Sequence, residues 1–252
     1  MDLLLLTTLI AIGFNLLLFL PAYLLKTDKL TDLSYSLTFI LLALYGAYIN
    51  KFDANYLPVT LLVLIWAIRL GSYLLIRISK TGKDKRFDQM RENFWDFGKF
   101  WLLQGVTVWI VMLPCLLFFK SQAPTFNWVS TIGLIIWILG ISIEAIADWQ
   151  KFQFKNNPQN EGKWIASGLW KYSRHPNYLG EILLWLGVYL FVVPSLTGAT
   201  ILWGLIGPLY ITLLLCFVSG IPLLEKSADK RWGNLSEYIK YKKETGVLFP
   251  KL

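Results

Sequence analysis

Seven apolar runs occupy most of this 252-residue chain: Leu3–Leu25, Leu30–Ile49, Leu57–Ile78, Phe100–Phe119, Trp128–Trp149, Asn177–Leu196 and Gly198–Leu224. Each is close to, or beyond, the roughly 20 residues that a helix needs to cross the hydrocarbon core of a bilayer. Inside lipid no water is present to satisfy backbone N–H and C=O groups, so runs of this kind are constrained to be helical. The expected fold is all-α: one polytopic domain over residues 1–252 with seven transmembrane helices. No separate soluble domain fits in what remains. The hydrophobic share, 56%, lies above that of ordinary soluble domains and agrees.

The net charge of +8 raises the question of a polyanionic partner. Sorting the cations by loop answers it. With the N-terminus outside, 21 Lys and Arg residues fall in inner segments and two, Lys51 and Lys120, in outer ones, while Arg69 lies within a span. That asymmetry follows the positive-inside rule and implies an N-out, C-in topology. The charge is explained by topology and by attraction to anionic membrane lipids, and no nucleic-acid partner is expected. Cys115 and Cys216 sit inside apolar runs and read as packing residues. In the tail, Lys226, Lys230, Trp232, Leu235 and Ile239 recur at helical spacing, which predicts a single membrane-surface helix.

Polar groups within hydrocarbon are costly and mark partners or function. Here they are Asp32, Arg69, Gln104, Glu144, Asp148 and, just inside the sixth run, Glu181. Glu144 and Asp148 share a helix face four residues apart, as do Asn177 and Glu181. The second pair belongs to "WKYSRHPNYLGE", Trp170–Glu181, a polar knot at the mouth of an apolar run. No Walker loop, H-E-x-x-H, C-x-x-C or strand-linked G-x-G-x-x-G is present. The one histidine, His175, excludes a multi-histidine metal site; it suits a hydrogen-bonding cap or acid–base work.

Taken together these residue types suit an anionic, aromatic-ended cofactor. Lys155, Lys163, Lys171, Arg174, Lys226 and Lys230 offer donors for phosphates. Trp149, Trp164, Trp170, Tyr172 and Tyr178 offer stacking surfaces. Glu144, Asp148, Asn177 and Glu181 can hold amide and ribose hydroxyl groups, and the helix start after Pro176 offers backbone N–H groups. S-adenosylmethionine also calls for carboxylates and aromatics, so two cofactor classes stay open at this level.

"GLWKYSRHPNYLGEILLWLG" and "SGIPLLEKSADKRWGNLSEYIKYKKETGVLFP" closely resemble the C-terminal domain of the steroid 5α-reductase family, in a bacterial branch of uncharacterised substrate. The resemblance is strong over residues 144–252 and looser back to about residue 30. "RHPNYLG" also occurs in sterol delta-14 reductases, and the shorter R-H-P core in isoprenylcysteine and phospholipid methyltransferases. "NYLGE" tips the balance to a reductase, with an S-adenosylmethionine-dependent membrane methyltransferase as the alternative. The resemblance implies NADPH-dependent reduction of a conjugated carbon–carbon double bond in a lipophilic enone that enters from the bilayer. It assigns substrate-side helices to residues 1–120 and a cofactor-binding half, on the cytoplasmic side of a bacterial inner membrane, to residues 121–252. Its cofactor contacts fall on Glu144, Asp148, Lys155, Lys163, Tyr172, Asn177, Glu181, Lys226 and Lys230, joined here by Arg174, His175 and Tyr178. Lys155, Lys163 and Lys226 stand where relatives can have Arg, which removes bidentate forks. At the substrate end an acid and a tyrosine of the family correspond to Asp32 and Trp66, with Arg69 three residues on. A protonated Asp32 and the Trp66 indole N–H would polarise the enone carbonyl.

The charge asymmetry makes a direct prediction. A C-terminal green fluorescent protein fusion in a bacterial host is expected to fluoresce and a C-terminal alkaline phosphatase fusion to stay inactive. The reverse pattern would place the tail outside.

Overall fold

Apolar helices dominate the computed structural model of the chain, which describes residues 2–81 and 88–251. Lys83, Lys85 and Arg86, counted above with the inner segments, lie outside the described residues. Among the described residues six helices are long and apolar enough to cross a membrane, and the count is seven when a pair bent by 52° is taken as one span. Among the described residues there is no β-strand, only one isolated parallel bridge between Ser173 and Gly246. The helices group into two compact units, Met1–Phe126 with Val192–Gly207, and Asn127–Phe191 with Pro208–Leu252.

The first unit contains α1 (Leu3–Leu24), α2 (Lys29–Ile49), α3 (Leu57–Thr81), α4 (Phe94–Val111) and α5 (Leu113–Lys120). Small residues set its close contacts: a Cβ on Gly105 would come within 2.9 Å of Ala11 O on α1, and one on Gly71 within 2.9 Å of Ser36 on α2. Polar side chains then lock the register. Gln104 Nε2 donates to Asn15 Oδ1 at 2.8 Å, Ser34 Oγ at 2.7 Å and Thr31 O at 3.1 Å, while Asn15 Nδ2 donates to Thr38 Oγ1 at 2.9 Å. Three helices are thereby tied through groups that would be costly to leave unbonded in hydrocarbon. At the end of the same unit Arg91 is buried and donates to the buried Asp28 at 2.7 Å and to Asp88.

The fourth expected span is not one straight helix. α4 stops at Val111 and α5 begins at Leu113, with Pro114 at its start. Proline lacks an N–H and its ring crowds the carbonyl four residues back, so the ladder breaks there and the axis bends. The next helix of this unit is the first part of α8 (Ala199–Leu213), whose Gly207 lies against Pro114 and Val111 O.

The second unit contains α6 (Trp128–Asn156), α7 (Pro176–Val192), the rest of α8, α9 (Ile221–Trp232) and α10 (Ser236–Glu244). An Asn127–Ser130 capping box starts α6, whose 29 residues extend about 44 Å at 1.5 Å per residue. That exceeds a hydrocarbon thickness of about 30 Å, so part of α6 projects beyond it. Glycines seven apart press α6 onto α7: a Cβ on Gly140 would lie 2.7 Å from Gly180 O, and one on Gly187 2.7 Å from Gly133 O. The seventh run also departs from a simple helix. α8 ends in a π-turn, Leu214–Val218, and the chain bends at Ser219–Gly220, where any Cβ on Gly220 would meet Leu215 O at 2.4 Å. The expected single surface helix of the tail is two helices, α9 and α10, separated at Gly233–Leu235.

The glycine contact yields a test. Gly180→Ala places a methyl 2.6 Å from Glu144 N, backbone that cannot yield, and is expected to cost about 2 kcal/mol. Gly13→Ala, with nothing within 4 Å, serves as the control that should leave the thermal midpoint in detergent unchanged.

Candidate functional site

The polar loop before α7 is held by the tail as well as by its own turn at Gly168–Lys171. Tyr241 Oη donates to Trp170 O at 2.8 Å and Thr245 Oγ1 to Lys171 O at 3.2 Å. Ser173 Oγ donates to Val247 O, and the backbone N–H groups of Arg174 and His175 donate to Gly246 O and Val247 O. Gly246 is required at this crossing, since a Cβ there would fall 1.7 Å from Phe249 O. Burial pushes the Tyr241 phenol well above its ordinary value, so it remains a donor.

Glu225, on α9, is the centre of this arrangement. Arg174 approaches it in a fork, Nε to Oε1 and Nη2 to Oε2, both at 3.1 Å. His175 Nε2 lies 2.9 Å from Oε1, and Lys242 Nζ 3.3 Å from Oε2. The remaining arm of the guanidinium, Nη1, donates to Lys242 O and Thr245 O at 2.8 Å each. Partial burial opposes the Lys242 charge, but hydrogen bonds from it to Asp229 and Glu225 hold its pKa above the usual value. A fork of this kind carries geometric specificity as well as charge. His175 is itself buried, and that burial pushes its pKa below the ordinary value against the upward pull of Glu225. Its ring stacks on Tyr178 at 5.8 Å with planes 12° apart.

Two residues further along, Asn177 Nδ2 donates to Asp148 Oδ1 on α6 at 3.2 Å. Asp148 and Glu144 are buried on the same face of α6, beside Gly180 of α7, and Glu181 is half-buried on the next turn. The absence of side chains at the glycine crossing is what lets these acids approach the α7 start. The first turn of α7 is largely satisfied from within: Pro176 has no N–H, and Tyr178 N and Leu179 N both donate to His175 O.

Other expected site residues take different positions. Arg174, expected among phosphate-binding cations, has four of its five N–H donors directed to Glu225 and tail carbonyls, and therefore positions the loop. Lys155, Lys163, Tyr172, Lys226 and Lys230 are exposed. Lys163, Lys226 and Lys230 have no carboxylate partner among the described residues. Trp170 is buried, donates to Ala147 O at 3.1 Å and carries Lys151 Nζ 4.5 Å above its ring, so it is a wall and not a free stacking surface. Trp164 packs with Trp232, Tyr238 and Tyr241. In the first unit Asp32 accepts from Arg77 Nη2 at 3.0 Å, which gives it an acceptor's role in place of the expected donor's. Trp66 is fully buried, edge-on to Phe39 at 4.8 Å, and Arg69 is half-buried.

Glu225, Tyr241, Thr245 and Gly246 were not singled out from the sequence. A signal existed for the first: Glu225 and Asp229 are four apart, acidic residues on one face of a basic helix. Gly246 had only the weak cue of following a helical segment.

These features define a polytopic helical membrane protein whose polar loop is latched by a distant tail. The chain belongs to the family described as "Protein of unknown function (DUF1295)", which matches residues 18–245. An uncharacterised protein of Schizosaccharomyces pombe is 25% identical over 252 residues, 87% of this chain and 69% of the relative. A probable O-methyltransferase of Ustilaginoidea virens is 41% identical over 46 residues, 18% of this chain and 16% of its own length. No solved structure matches the chain.

The fork sets an expectation for mutants. Arg174→Ala leaves the half-buried Glu225 without its main partner and should cost about 2 kcal/mol, the scale of hydrogen bonds to a charged group. Combining it with Glu225→Ala should cost clearly less than the two single changes added, as a double-mutant cycle of thermal midpoints would show.

Proposed function

We propose that this chain is an integral membrane reductase that uses NADPH to reduce a carbon–carbon double bond conjugated to a carbonyl in a lipophilic molecule, steroid-like or isoprenoid. The resemblance of "RHPNYLGE" and the tail to the steroid 5α-reductase family suggests it. The observation that carries it is an acid–amide cluster across α6 and α7 together with cations elsewhere in the second unit that have no carboxylate partner among the described residues. Asp148 and Asn177 are joined across α6 and α7 beside Glu144, a set able to hold ribose hydroxyl and carboxamide groups. Lys163, Lys226 and Lys230 are exposed, and the two on α9 each follow a residue, Glu225 or Asp229, that is engaged by Lys242. A phosphate-bearing ligand supplies the missing negative charge. This donor set fits NADPH, with Arg174 supporting the loop.

NADPH when bound supplies a hydride. The chain's own part is to hold that ligand and to polarise the acceptor carbonyl. Asp32 is paired with Arg77, so polarisation falls to the Trp66 indole N–H and Arg69. In this reading the cations face the cytoplasm of a bacterium, with the N-terminus outside and the C-terminus inside. The second reading, an S-adenosylmethionine-dependent methyltransferase of a lipid, draws support from the 46-residue likeness to a probable O-methyltransferase. S-adenosylmethionine offers the exposed lysines one carboxylate where NADPH offers a pyrophosphate and a 2′-phosphate, which favours the reductase.

Thermal midpoints in nanodiscs separate the two. NADPH at a hundredfold excess over its Kd should stabilise the protein by about 2.7 kcal/mol, Asn177→Ala should abolish most of that gain, and a panel of enones should then accelerate NADPH oxidation. Stabilisation by S-adenosylmethionine alone would replace the reductase by the methyltransferase.

A further inference from the structure

His175 carries an unusual atom. Its Nδ1 is buried and has no hydrogen-bond partner among the described residues, while the residue as a whole is only 5% exposed and its other polar groups are bonded. The identity of the partner on the far side of the ring decides what kind of atom it is. Glu225 accepts a two-pronged Arg174 fork and a Lys242 contact, so it is an ionised carboxylate and can only accept. The 2.9 Å contact from His175 Nε2 therefore requires a hydrogen on Nε2. In the neutral ring that leaves Nδ1 with a lone pair and no hydrogen.

We infer that His175 Nδ1 is the acceptor subsite for an N–H or O–H group of the bound ligand, and that Glu225 is the positioning residue that fixes the tautomer. This rests on the cofactor reading above and sharpens it. A lone pair repels a phosphate oxygen, so the phosphates lie elsewhere and the part of the ligand at His175 is an uncharged donor, a carboxamide N–H₂ or a ribose hydroxyl. The placement is consistent with its surroundings. Asn177, two residues on, and its partner Asp148 are groups able to pair with such a polar, uncharged moiety, and the Tyr178 ring stacks on the imidazole. Buried acceptors in folded proteins are nearly always satisfied, and one left open beside a cluster of this kind calls for a donor that arrives with the ligand.

The chain's one histidine makes the test unambiguous. Protein labelled with ¹⁵N-histidine, purified without a polyhistidine tag and held in nanodiscs at neutral pH, should show a protonated Nε2 and a widely separated, unprotonated Nδ1. Saturating NADP⁺, with saturation judged by the thermal midpoint, should move the Nδ1 resonance toward the protonated range and leave Nε2 nearly fixed. ADP-ribose 2′-phosphate, which lacks the nicotinamide, divides the sources: no Nδ1 shift assigns the donor to the carboxamide, and a full shift assigns it to a ribose hydroxyl. Glu225→Gln, whose side chain can donate as well as accept, should release the ring to a mixture of tautomers. His175→Phe, which keeps the stacking surface, should weaken NADP⁺ binding about tenfold, the loss of one hydrogen bond. An Nδ1–H tautomer or an imidazolium in the free protein overturns the inference without any ligand or variant. An unchanged Nδ1 in protein stabilised by NADP⁺ overturns it while the reductase reading stands. Failure of NADP⁺ to stabilise the protein, with the free tautomer as expected, refutes the cofactor assignment and the ligand half of the inference together, and leaves Glu225 as a tautomer-fixing residue.

Discussion

A half-buried carboxylate that gathers one guanidinium, one imidazole and one ammonium group organises the second unit of this protein. Glu225 lies on α9, Arg174 and His175 on the loop before α7, and Lys242 on α10, so a single side chain joins three segments far apart in sequence. Taking a charge out of water is expensive, and the cost is offset only when the geometry is good and the remaining donors are satisfied. Here they are, because the third arm of the guanidinium finds the carbonyls of Lys242 and Thr245. The loop's shape, the histidine tautomer and the course of the tail all follow from that one arrangement.

A second constraint is steric and acts by omission. Gly133 and Gly140 on α6 oppose Gly187 and Gly180 on α7, and each lets the partner backbone come closer than any side chain would permit. Close approach of this type is how helices associate in lipid, where apolar surface by itself gives no preference for another helix. It also carries Asp148 to within hydrogen-bonding distance of Asn177. The glycines thus decide where the acids lie, and the fork decides how the loop that faces them is held.

Much of this was legible in the sequence, and what was legible has a common cause. The spans are written in local runs of apolar residues, and their number agrees with the helices found. Pro114 within the fourth run is a local breaker that was passed over when Phe100–Phe119 was read as one span, and the bend beside it is its direct effect. Glu144, Asp148, Asn177 and Glu181 stood out because charge inside a greasy helix is conspicuous. What stayed hidden is long-range. Nothing local says that Glu225, rather than a ligand, takes the guanidinium of Arg174, or that Asp28 takes Arg91. The split of the tail into α9 and α10 was missed because periodicity ran across Gly233 without a break.

The latch also has a consequence in time. Tyr241 and Thr245 follow the backbone groups they hold, at Trp170 and Lys171, by 71 and 74 residues. During synthesis the histidine loop leaves the ribosome well before its clasp exists, and α8 and α9 are made in the interval. The imidazole has no carboxylate to orient it until Glu225 is made, and the loop stays unclasped until Tyr241 and Thr245 follow.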